Sequence, residues 1–69
     1  MPLTFAKAGD EIVIKRIGGK DDVRRHLENL GFIEGERLKV LSEFAGNIIV
    51  FIKNTRLAIS RELAIRVMV

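Results

Sequence analysis

The chain has 69 residues, no cysteine, tyrosine or tryptophan, and twelve basic against nine acidic side chains, for a formal net charge of +3. That length makes one domain, 1–69, which buries only about 60% of the surface its unfolded chain exposes; the 48% hydrophobic composition must go into a dense aliphatic core, with no room for a cofactor cavity beside a catalytic cleft. Without cysteine there is no disulfide framework and no thiolate zinc site, which fits a reducing compartment.

From Asp10 to Ile17 the residues read D-E-I-V-I-K-R-I. Ile12 and Ile14 share one face of a β-branched run, which predicts a strand. Ala8-Gly9 turns into it and Gly18-Gly19 ends it. In Lys20 to Gly31, Val23, Leu27 and Leu30 fall at i, i+4 and i+7, one face of a helix. Asp21 is its expected N-cap, and Asp22 adds negative charge to the first turn, where the helix dipole favours it. Gly31 stands just past the last apolar position, where helices end on a left-handed glycine. Ile33-Glu34-Gly35-Glu36 reads as a turn whose glycine supplies positive φ. A phosphate loop needs strand, glycines and helix in that order, with a Gly-Lys-Ser/Thr ending. Here the glycines follow the helix, so they mark a corner.

Arg37 to Phe44 is the second strand. Ala45-Gly46-Asn47 turns the chain into Ile48–Lys53, and Asn54-Thr55 turns it again. Arg56 to Ser60 alternates, with Leu57 and Ile59 on one face. Arg61 to Ala64 forms one helical turn, and Ile65 to Val69 a last short strand. Short strands joined by tight turns predict a small all-β barrel with one helix inserted after the first strand. Every residue of Ile48–Ile52 is apolar. With Val50 and Ile52 inward, Ile49 and Phe51 point outward, either beneath the helix or as a patch for a partner or a weak homo-oligomer.

Few side chains could carry chemistry. His26 is the single histidine, with Asp22 four residues before it on the same helix face, a spacing at which two ligands can share a metal. No further local ligand completes a site, and the pair also reads as a solvated helix face. Glu34 and Glu36 flank a glycine on an exposed turn, where carboxylates are usually only solvated. No Ser-His-Asp spacing stands out around Ser42 and Ser60, so no active site, cofactor or metal site is assigned and an enzyme is not expected. Arg24, Arg25 and Glu28 lie on the exposed side of the helix. They read either as a recognition surface or as a solvated face with an Arg24–Glu28 pair at i,i+4. The basic residues are interspersed with acidic ones, the longest basic runs being pairs, and stacking tyrosine and tryptophan are absent. No nucleic-acid partner is therefore expected, although a small basic barrel that binds nucleic acid is the rival reading. No segment approaches the ~20 apolar residues that span a bilayer, and the N-terminus has no apolar core long enough for a signal peptide, so no membrane insertion is expected.

Ala8-Gly9-Asp10 before a strand, a helix ending Leu27-x-x-Leu30-Gly31, and Phe32-Ile33-x-Gly35 entering the next strand are followed by Arg56-Leu57-Ala58-Ile59 and Glu62-Leu63-Ala64-Ile65-x-Val67. From about Leu3 to Val69 this pattern resembles the ferrous iron transport protein A family, FeoA. The resemblance implies an SH3-like β-barrel with an inserted helix. It also implies a cytoplasmic accessory of ferrous iron uptake that acts by protein–protein contact on FeoB, a membrane permease with a GTP-hydrolysing domain. A related barrel forms the C-terminal domain of metal-dependent repressors, which keeps a metal-responsive regulatory module as an alternative; His26, Asp22 and exposed glutamates would bind a transition metal ion only weakly. Glu34 departs from the family's usual proline, and Phe51 from a more usual polar residue. On this reading the partner-binding residues are Arg24, Arg25 and Glu28 for polar contacts, Leu27 holding the helix on the barrel, and Phe32 fixing the corner.

Overall fold

In the computed structural model, which describes residues 1–69, the first apolar run is not one strand. It divides into β1 (Glu11–Val13) and β2 (Arg16–Ile17), which belong to different sheets. The break lies at Ile14 and Lys15. Ile14 exchanges backbone hydrogen bonds with the corner, donating to Glu36 O at 2.9 Å and accepting from Gly35 N at 2.8 Å, while Lys15 N already donates to Met68 O. Burial explains the division: Ile14 and Ile17 are both core residues, and a strand cannot put positions three apart on one face without a twist or break.

The helix α1 runs Asp21–Asn29. Lys20, not Asp21, occupies the cap position and makes no side-chain cap bond. Asp21 is the first helical residue, and its carboxylate instead accepts from Arg24 at 2.7 Å. The predicted apolar face is only partly realised. Leu27 is fully buried and Val23 half-buried, but Leu30 is exposed because the helix ends at Asn29 and Leu30 turns off its face.

The helix end is a Schellman motif. Gly31 N donates to Glu28 O and Phe32 N donates to Leu27 O, each at 3.0 Å, and Gly31 takes the left-handed φ of +107° the motif requires. Leu27 and Phe32, bracketing the motif, are both buried, the apolar contact that usually accompanies it. The chain then turns through Ile33–Glu36, with Glu36 N donating to Ile33 O at 3.0 Å and Gly35 at φ +85°. Positive φ at the third residue of a hydrogen-bonded turn is the type II pattern.

Beyond the corner, β3 (Arg37–Phe44), β4 (Asn47–Ile52) and β5 (Thr55–Ser60) form a continuous antiparallel meander. Both connections are two-residue hairpins, Ala45-Gly46 and Lys53-Asn54, with positive φ at every central position, the turn hand that matches strand twist. The sheet order is β1-β3-β4-β5. Its inner face is built from alternate residues: Leu38 faces Ile52, Val40 faces Val50, and Ile48 faces Ile59. The register slips once between Val40 and Ser42, leaving Leu41 as the extra residue of a bulge.

Ser60 caps the one-turn helix α2 (Arg61–Ala64), accepting from Leu63 N at 3.3 Å. The last strand, β6 (Val67–Met68), pairs with β2. The two sheets pack as an SH3-like barrel that is not closed by a continuous ladder. Its core of fourteen apolar residues also takes in Leu3, from a 3-10 turn at Leu3–Phe5 that the sequence reading did not anticipate. No polar or charged side chain is buried.

Candidate docking site

The short Gly18–Lys20 connection after β2 brings the start of α1 close to the strand it leaves, and the Schellman turn sends the chain back past the same helix face. Between them lies an open cleft of about 490 Å³. Arg16 and Ile17 line it from β2, Asp21, Arg24, Arg25 and Glu28 from α1, and Glu34 from the corner turn. Three of the five residues expected to bind a partner, Arg24, Arg25 and Glu28, are thus gathered in one place. Arg16 and Glu34, outside the helix in sequence, belong to the same surface. Only the tertiary return of the chain brings them to the helix, and no local pattern announces it.

Leu27 and Phe32 are both fully buried. They belong to the core and are the wall against which the helix and the corner are fixed. Their packing sets where the Arg24, Arg25 and Glu28 side chains stand.

The cleft carries three guanidinium groups and three carboxylates. Arg24 is tied to Asp21 by an i,i+3 pair rather than to Glu28 by the expected i,i+4 pair. The domain has two other ion pairs, Lys53–Glu36 at 3.6 Å and Arg61–Glu43 at 2.8 Å. Arg16, Arg25, Glu28 and Glu34 therefore stand in the cleft without an ion-pair partner. Charges of both signs with no internal partner suit a protein surface of mixed charge. They do not suit a phosphate group, which the three carboxylates would repel.

The other candidate chemistry stays dispersed. His26 is exposed on α1, and Asp22 accepts from the backbone of Val23. No three His, Asp or Glu side chains converge as a metal site would require. Ile49 and Phe51 point outward as expected; Ile49 is half-buried and Phe51 is 42% exposed. No helix is long and apolar enough to cross a membrane.

Comparison with known proteins identifies the family and the fold. The family model describing the FeoA domain matches residues 1–69. This chain belongs to the FeoA family. A Methanocaldococcus jannaschii protein named Fe(2+) transport protein A is 37% identical over 68 residues, covering 99% of this chain and 83% of that one. A crystal structure of an iron uptake regulatory protein, FeoA, superposes with a TM-score of 0.89 at 33% identity, covering 96% of this chain and 88% of that one. The fold is also that of Stenotrophomonas maltophilia FeoA in complex with zinc, described as a procaryotic SH3 domain protein, with a TM-score of 0.84 at 24% identity and coverage of 99% and 87%. The chain is thus an SH3-like member of a family of ferrous iron transport proteins.

Proposed function

We propose that this FeoA-family domain is a cytoplasmic, non-catalytic accessory of ferrous iron uptake that docks through the α1 cleft on the GTPase-containing part of a FeoB-type permease. The observation that carries the reading is the set of cleft charges, Arg16, Arg25, Glu28 and Glu34, that find no ion-pair partner within the domain. Family membership supplies the iron-transport context.

The test is calorimetric titration of the Arg24→Glu/Arg25→Glu double variant against the soluble GTPase domain of a FeoB-type permease. Both arginines are exposed, so the domain stays folded. Binding should weaken by at least tenfold, since reversing two interface charges costs more than about 1.4 kcal/mol. Undiminished affinity would remove the helix from the docking surface.

A further inference from the structure

The outward face of the four-stranded sheet has no element of the fold packed over its centre, where Phe51 stands 42% exposed. Strand register sets Glu11, Lys39, Phe51 and Arg56 in one row across the sheet. Ile49 and the bulged Leu41 extend the apolar centre along the strands.

The charge around this centre is mainly positive. Arg37, Lys39, Lys53 and Arg56 surround it, against the carboxylate of Glu11 and that of Glu36 beside Lys53. With Glu36, which pairs with Lys53, these are four of the twelve basic residues and two of the nine acidic ones, so a net +2 of the chain's +3 belongs to this face. Lys53 is partly neutralised by Glu36 at 3.6 Å, but Arg37, Lys39 and Arg56 have no ion-pair partner. The open depression between them, about 530 Å³, shares no residue with the α1 cleft.

We propose that this face rests on an anionic lipid surface, with Phe51 at the level of the headgroups and Arg37, Lys39 and Arg56 around it meeting lipid phosphates. Charge complementarity excludes a cationic or neutral occupant. Long cationic stems around an apolar centre bury their methylenes while their heads stay at the polar boundary, which suits a fluid layer of headgroups. A single-stranded nucleic acid would need a succession of aromatic rings on which to stack its bases, and the depression offers Phe51 alone. The contact is peripheral and does not depend on the α1 cleft binding a permease.

Co-sedimentation with phosphatidylglycerol/phosphatidylcholine vesicles tests this without any other protein. Three unpaired cations less the carboxylate of Glu11, at about fivefold per charge at an anionic surface, predict roughly a 25-fold preference over pure phosphatidylcholine at low salt, decaying as salt rises. Arg37→Glu/Arg56→Glu should lose at least about 25-fold. Lys7→Glu/Lys20→Glu, which makes the same change in net charge at exposed residues outside both the face and the cleft, should keep most of the binding. On phosphatidylglycerol bicelles, amide broadening in the unmodified protein should centre on Lys39, Phe51 and Arg56. Equal binding to both vesicle types, equal loss in both variants, or broadening centred on α1 would overturn the proposal. So would perturbation of this face by an RNA oligomer or by the permease GTPase domain with none by vesicles.

Discussion

Replacing Gly31 by alanine tests the corner that seats α1. Gly31 closes the Schellman motif at φ +107°, a backbone region that an L-residue enters only with strain. A left-handed L-residue costs about 1–2 kcal/mol. Crowding adds little, because a Cβ built at this position meets nothing closer than Lys53 Cδ at 3.4 Å, on a long side chain that can swing away. The expected loss is therefore the backbone term, about 1–2 kcal/mol. For a domain this small each kilocalorie lowers Tm by about 4–8 °C, so the melt should fall by roughly 5–15 °C. Thermal and urea unfolding followed by far-UV circular dichroism measure it. The cause is separable by a double-mutant cycle with Lys53→Ala. If strain dominates, removing the lysine does not rescue Gly31→Ala and the coupling is near zero. An unchanged Tm, or rescue by Lys53→Ala, would refute the backbone account.

Other expectations follow from the same corner and helix. Gly35 stands at the third position of the Ile33–Glu36 turn, and no backbone hydrogen bond is donated by Glu34 N. Proline suits the second position of such a turn, so Glu34→Pro should stabilise by about 0.4–1 kcal/mol, read as a higher urea midpoint with unchanged m. A lower midpoint would show that Glu34 does not hold a proline-compatible backbone. Leu27→Ala should cost about 2–5 kcal/mol because it opens a cavity in the core, whereas Leu30→Ala should cost under about 1 kcal/mol because Leu30 has left the buried face. Equal costs in chemical denaturation would contradict the helix placement.

Much of this architecture is legible in the sequence, for local reasons. The strand Arg37–Phe44, the one-turn helix Arg61–Ala64 and the inward Val50 and Ile52 follow from side-chain period. Gly31 and Gly35 follow from the backbone conformations they alone adopt cheaply. What was not legible is tertiary. The Asp10–Ile17 run reads as one strand because all its apolar residues are β-branched; the adjacent Lys15-Arg16, which interrupts the alternation, is the one trace of the switch between sheets. Leu30 fits the helical period, yet the helix stops before it can use that position. Asp21 is a good capping residue by type, but its carboxylate is drawn to Arg24 instead.

The sites divide in the same way. Arg24, Arg25 and Glu28 could be placed on one helix face from spacing, but Arg16 and Glu34 join them only through the Schellman turn and the β2 connection. The charge of the sheet face was hidden more completely. Arg37, Lys39 and Arg56 alternate with apolar residues along their strands, so a linear reading sees dispersed charge where the folded sheet collects it.

The central claim is that the α1 cleft is the docking surface for a FeoB-type permease. The most direct test is an NMR titration of the isotope-labelled domain with the permease's soluble GTPase domain. Amide shifts concentrated at Arg16, Arg24, Arg25, Glu28 and Glu34, and saturating together, are the predicted result. Shifts confined to residues outside the cleft, or none at saturating GTPase domain, would contradict it.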